Sequence, residues 1–155
     1  MNDLVAQLTQ DFPHIKLQAG SAFYWSPRAK TVFYNAEVQD AFATLSLLHE
    51  LGHGILEHKT FGTDFELLLL EVDAWREARK LAKKYKIKID YDHIEDSLDT
   101  YRDWLHERSH CPTCGVRTLQ SDQHTYHCYN CEEEWHVSRS RFCRAYRRLS
   151  QQKTA

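Results

Sequence analysis

From about Glu37 to His58 the chain has no proline, and most of its residues suit a helix. Leu47, Leu48, Leu51 and Ile55 fall on one face of that helix, with Phe42, Leu45 and Leu56 on the opposite side. This pattern predicts a helix buried on both sides. Gly62 and Thr63 interrupt it, and Thr63 or Asp64 is placed to cap a second helix over roughly 65–85. There Leu67, Leu68, Ala74, Trp75, Ala78, Leu81 and Ala82 recur at three- and four-residue spacing, an apolar stripe. Ile94, Leu98, Tyr101 and Leu105 support a third helix over roughly 91–108. Upstream, residues 2–11 suit a short helix. Aromatic and β-branched residues at 21–25 and 31–34 flank the turn Ser26-Pro27-Arg28-Ala29, which predicts a hairpin whose second strand ends at Asn35. After Ser109 the residues change abruptly to cysteine, histidine and turn formers. The expectation is an α+β domain over 1–108 and a small module over 109–155.

A chain of 155 residues fits that division, and its ordinary apolar and charged fractions, 42% and 27%, are those of a globular protein. The net charge of -2 hides local polarity: Arg139 to Arg148 holds five arginines and no acid. Read as a basic C-terminal helix, that stretch suits a nucleic acid or acidic partner, or equally a solvated face. The N-terminal stretch carries Asp3 and Asp11 and lacks a long apolar core, so it does not read as a signal peptide. The longest aliphatic run, Leu67 to Leu70, is too short to span a bilayer. Two Cys-x-x-Cys pairs in such a chain point to metal rather than disulfides, and hence to a reducing cytoplasm.

The candidate chemistry lies in His49-Glu50-Leu51-Gly52-His53. Residues four apart on a helix project from one face a turn apart, so His49 and His53 can hold one zinc ion. Glu50, on the adjoining flank, can reach a metal-bound water without ligating the metal and serve as general base. The alternative is a chance pair of surface histidines. Leu45 and Leu56, flanking the pair on its own face, favour a pocket.

A catalytic zinc usually takes three protein ligands. His58 follows His53 by five residues, about 140° further around a helix, and should point away. Leu56 and Lys59 stand where HExxHxxGxxH needs Gly and His, which removes the metzincin pattern. Glu57 lies a turn too far along, and Glu66 and Asp73 lie off the apolar stripe. Glu71 falls near the middle of that stripe, where an unpaired carboxylate would be costly to bury. A zinc on the preceding helix would satisfy it; a buried salt bridge is the competing account.

These residues resemble the ImmA/IrrE family of metallopeptidases, of the gluzincin type. The strand Thr31-Val32-Phe33-Tyr34-Asn35 is similar to the family's strand before the active helix, His49 to His58 (HELGHGILEH) to its extended motif, and Glu71-Val72-Asp73-Ala74 to its Glu-x-x-Ala element. The likeness covers roughly residues 20–85. It implies a zincin-like domain with Glu71 as third ligand, and cleavage of a specific intracellular protein, in this family often a helix-turn-helix repressor. If at a sheet edge, the Thr31 to Asn35 strand could pair with an extended substrate. For the oxyanion donor the sequence offers only Tyr34 and His93 as guesses.

Cys111-Pro112-Thr113-Cys114-Gly115 and Cys128-Tyr129-Asn130-Cys131 match two knuckles of a four-thiolate zinc ribbon, implying a second, structural zinc. A redox dithiol is the alternative. His110, His124, His127 and His136 lie near enough to replace a cysteine but are not needed, and Cys143 reads as a packed residue. Such a ribbon can bind nucleic acid, bind protein or brace the fold, and Tyr126, Tyr129 and Trp135 could stack on bases or form its core. Two other functions compete with a site-specific peptidase. A SprT-like protease acting on DNA-bound proteins would need a downstream histidine ligand, His93 or His106. A non-catalytic zinc-containing binding module would have no use for Glu50.

Overall fold

The computed structural model describes residues 1–138 and the backbone of 147–149. In chain order the elements are α1 (Asn2–Asp11), β1 (Lys16–Gly20), β2 (Tyr24–Ser26), β3 (Thr31–Asn35), α2 (Ala41–Ile55), α3 (Asp64–Lys84), α4 (Tyr91–Ser109), β4 (Thr125–His127), β5 (Glu134–Val137) and β6 (Arg147–Leu149). The fold is α+β, with four helices and two three-stranded sheets among the described residues. Residues 1–60 and 70–95 form one compact unit, and 61–69 with 96–155 form a second. Residues 61–69 and 96–108 thus cluster with the cysteine-bearing segment. No helix among the described residues is long and apolar enough to cross a membrane.

In the first unit the expected hairpin is present: β2 pairs antiparallel with β3, and Asn35 is the last residue of β3. The strand β1 was not expected. Ile15-Lys16-Leu17-Gln18-Ala19 alternates apolar and polar residues, but of the strand's own five residues only Leu17 is even half-buried. It pairs parallel with β3, giving the order β1-β3-β2. The Thr31–Asn35 strand is therefore central, with both of its edges occupied, and cannot accept an added strand.

Asp40 sets the start of α2. Its side chain accepts a hydrogen bond from Ala43 N at 2.7 Å, satisfying a donor that the first turn leaves free. Leu45, Leu47, Leu48 and Leu51 are fully buried. Phe42 and Leu56, expected inside, are exposed. Phe42 lies in the first turn, where its ring meets that of His93 at 4.7 Å, and Leu56 lies just beyond the last turn. Along the 70–84 stretch of α3, Ala74, Trp75, Ala78, Leu81 and Ala82 are buried as the stripe predicts. The two helices meet backbone to backbone at Gly52, where a Cβ would stand 2.6 Å from the carbonyl oxygen of Ala74.

In the second unit α3 begins with a capping box. Thr63 Oγ1 accepts from Glu66 N at 3.2 Å, while the Glu66 carboxylate accepts from the N–H groups of Gly62 and Thr63. With Thr63 as cap, Asp64 is free for another task. It is buried and takes a bidentate contact from the buried Arg108, at 2.6 and 3.2 Å. The Tyr126 hydroxyl adds a third donor at 2.7 Å. Arg108 lies 4.3 Å from the Trp104 ring centroid and donates to Ser138 O at 2.6 Å, so both charges are saturated with partners. Tyr126 and Trp135 are fully buried and stack with centroids 5.3 Å apart, on the antiparallel β4–β5 pair. They are core residues and present no face to a base, whereas Tyr129 is exposed. Of the expected basic helix, Arg147–Leu149 is instead a strand, paired with β5. The remainder, with Cys143, lies outside the described residues.

Two substitutions test this packing by thermal or denaturant unfolding. Gly52→Ala should cost about 1–3 kcal/mol, because the atom it meets is backbone and cannot rotate away. Asp64→Ala strands a buried guanidinium and should cost about 3–5 kcal/mol. Tyr126→Phe removes a single donor from the same carboxylate and should cost clearly less.

Candidate metal centres

Helix α2 presents His49 and His53 on one buried face, and the close approach at Gly52 brings α3 alongside with Glu71 directed at them. His49 Nε2 lies 3.1 Å from His53 Nε2 and 3.1 Å from Glu71 Oε2, and His53 Nε2 lies 3.6 Å from Glu71 Oε1. Atoms bound at about 2.0–2.1 Å to one tetrahedral ion stand about 3.3 Å apart. The three separations bracket that value, so this donor set fits a single ion. Without a cation, two imidazole nitrogens at this distance share at most one proton, and a carboxylate only 6% exposed faces them. Burial alone pushes the Glu71 pKa up. The close approach of His49, then of His53, outweighs it and holds the group down at about 2, so Glu71 is a carboxylate. Of the competing sequence candidates, Glu66 is committed to the capping box and Asp73 pairs with Arg76 at the surface. His93 packs on Phe42 and, edge-on at 5.9 Å, on Trp75, and is not in the ligand group.

Glu50 is half-buried and also outside the ligand group. Its Oε2 accepts a hydrogen bond from Trp25 N at 2.7 Å. That N–H belongs to β2, an edge strand, and serves a side chain in place of a neighbouring strand. One carboxylate oxygen of Glu50 is thereby fixed.

His58 does not turn away as a continued helix would require. The helix ends at Ile55, and Glu57 takes the left-handed conformation at φ 52°. The N–H of Glu57 then bonds to Gly54 O and that of His58 to His53 O, at 3.1 and 3.0 Å. This is a Schellman ending with glutamate where glycine is usual. It folds the chain back, so that His58 Nδ1 lies 2.8 Å from His53 Nδ1, on the side opposite Glu71. Trp25 Nε1 donates to His58 O at 2.8 Å and pins the turn. Burial first, then the neighbouring His53, lower the His58 pKa. Neither Trp25 nor His58 was legible as a site residue. Trp25 contributes its main chain, and His58 depends on a helix stop that glycine does not mark. By contrast His49 Nδ1 is buried with no partner among the described residues, its ring lying 4.3 Å from that of Trp75.

In the second unit Cys111, Cys114, Cys128 and Cys131 converge as the spacing predicts, without any of the four histidines nearby. Cys111 Sγ and Cys131 Sγ are 3.6 Å apart, and Cys114 Sγ and Cys128 Sγ 3.5 Å, against about 3.8 Å for thiolates on one tetrahedral zinc. Both knuckles have the same build. Gly115 and Glu132, each four residues after the first cysteine of its pair, have positive φ and donate their N–H to that cysteine's carbonyl, at 3.1 and 2.8 Å. The Val116 N–H, then the Asn130 side chain, bring the Cys114 thiol down to about 6. At Cys131 the Glu133 N–H lowers the pKa, but burial and the other three thiols carry it the other way, to about 12. Four thiolates this close repel one another, so full ionisation needs a cation.

Elemental analysis of the purified chain should find two metal ions per molecule. Glu71→Ala should lose one and keep the cysteine-bound ion, and Cys111→Ser/Cys114→Ser the reverse. Two ions retained in Glu71→Ala would remove Glu71 from the ligand set.

No protein-family model, curated protein or solved structure matches this chain, so what the two centres can do rests on their own geometry.

Proposed function

We propose that the protein is a zinc-dependent endopeptidase of the ImmA/IrrE-like, gluzincin type, hydrolysing a specific protein substrate. One observation carries the reading. Two imidazoles and a carboxylate converge on a single point, and a second carboxylate, Glu50, stands next to His49 but outside the ligand set. A purely structural site has no use for that second group. Two nitrogens and an oxygen suit zinc with an open fourth position, and four thiolates suit a closed, structural zinc.

His49, His53 and Glu71 would hold the catalytic ion. When bound, zinc supplies a Lewis acid for the scissile carbonyl and lowers the pKa of water at neutral pH. Glu50 keeps Oε2 on Trp25 N–H and has Oε1 to accept the proton of the attacking water and deliver it to the leaving amine nitrogen. In the first unit an extended peptide can align along the outer edge of β1 or β2 but not along β3, which is enclosed. Glu71 in the third position leaves a protease of DNA-bound proteins without the downstream histidine that reading needs. By resemblance the substrate class includes helix-turn-helix repressors. Nucleic-acid contact through the cysteine module and the arginines after Ser138 belongs to the same proposal.

Glu50→Gln tests it. New protein N-termini formed in a cell lysate by the wild-type protein should fall by about 10²–10⁴ in rate with the variant, at unchanged metal content. Undiminished cleavage by Glu50→Gln would return the HELGH site to a structural role.

A further inference from the structure

We propose that His58 is a positioning residue for the metal ligand His53: its Nδ1 accepts a hydrogen bond from His53 Nδ1–H and fixes the tautomer whose Nε2 faces the metal. The inference rests on the His49–His53–Glu71 reading and adds to it a role for His58.

The two Nδ1 atoms are 2.8 Å apart, so one carries the proton and the other accepts it. The other nitrogen of His53 settles which. Nε2 faces His49 Nε2 at 3.1 Å and Glu71 Oε1 at 3.6 Å, and a nitrogen that ligates a metal carries no proton. The ring proton of His53 therefore sits on Nδ1, His53 is the donor and His58 the acceptor. The proton of His58 is left on its own Nε2.

His58 is held for this task at three points. Its N–H is tied to His53 O in the turn made by the left-handed Glu57, and its carbonyl accepts from Trp25 Nε1 at 2.8 Å. Its ring meets the His53 ring at 4.9 Å, nearly edge-on. Trp25 thus serves the site twice, with its main-chain N–H on Glu50 and its indole on the turn that carries His58. The indole also lies against Gly54, where a Cβ would approach its ring to 3.2 Å, so β2 and the end of α2 are in tight contact. A ligand whose far nitrogen is bonded in this way is fixed in orientation and made more basic toward the metal. Loss of such a partner typically weakens metal binding by about 10–100-fold.

The test uses the intact chain and reads metal affinity. An asparagine side-chain oxygen stands where Nδ1 stands in histidine, whereas leucine fills similar space with no acceptor. Zn²⁺ affinity of the HELGH site is measured by chelator competition and its ligand field by the Co²⁺ absorption spectrum. The cysteine centre and the melting temperature of the metal-free protein serve as internal references. His58→Leu should bind about 10–100-fold more weakly with an altered Co²⁺ spectrum, His58→Asn should stay close to wild type, and both references should be unmoved. Trp25→Phe, which removes the indole donor to His58 O and keeps a smaller aromatic ring, should weaken binding in the same direction and by less. Equal affinity in His58→Leu and wild type, or His58→Asn as weak as His58→Leu, overturns the inference alone. If Glu71→Ala loses no ion relative to wild type, the underlying site reading fails and takes this inference with it.

Discussion

The approach of α2 to α3 at Gly52 governs the first unit. With 2.6 Å between a would-be Cβ and the Ala74 carbonyl oxygen, no residue but glycine lets the two backbones touch there. Gly52 directly precedes His53 and Ala74 lies one helical turn after Glu71, so the contact also sets the reach of a short carboxylate side chain toward two imidazoles. Set further apart, the helices would leave Glu71 buried with nothing to balance its charge. The helix packing and the convergence of ligand atoms are thus one constraint seen twice.

Two glutamates meet the site in different surroundings, and their surroundings divide the work. Glu71 is buried against both histidines, and their closeness holds it ionised. Glu50 projects from the flank of α2 to an edge strand, where a main-chain N–H fixes one oxygen. The small sheet therefore does more than cover the helix. Through Trp25 it fixes Glu50 directly, and it fixes His53 through His58.

The second unit solves a different problem. It is small, and much of its interior is polar: Asp64 and Arg108 are buried together, with Tyr126, Trp104 and Ser138 completing their contacts. Such a pair contributes little net stability when intact and costs much when halved. What it supplies is register, tying the start of α3 to the end of α4 and to β4 within this unit. Trp135 Nε1 bonded to Arg108 O extends the same network under β5, next to the cysteine knuckles.

The sequence by itself determined the four helices from Asn2 to Ser109, the cysteine knuckles and the grouping of His49, His53 and Glu71. Each of these is written in short-range spacing: three residues between His49 and His53, two residues inside each cysteine pair, a stripe of apolar residues around Glu71. Glu71 was legible across twenty-odd residues because an ionisable group inside an apolar stripe needs a partner wherever the stripe packs. Only the tertiary structure decided the rest. Strand β1 follows an apolar and polar alternation from Ile15 to Ala19, but its place beside β3 comes from pairing at long range, and that pairing encloses β3 and denies it the strand addition an edge position would allow. Asp64 looked like a helix cap and became a buried anchor, because Arg108, forty-four residues on, lies against it. His58 looked misdirected because helical geometry was extended past Ile55. A left-handed glutamate and an indole from another strand ended the helix early, and neither leaves a local sequence mark. Spacing fixes what lies on one element; which groups meet across elements is fixed by how closely the backbones can approach.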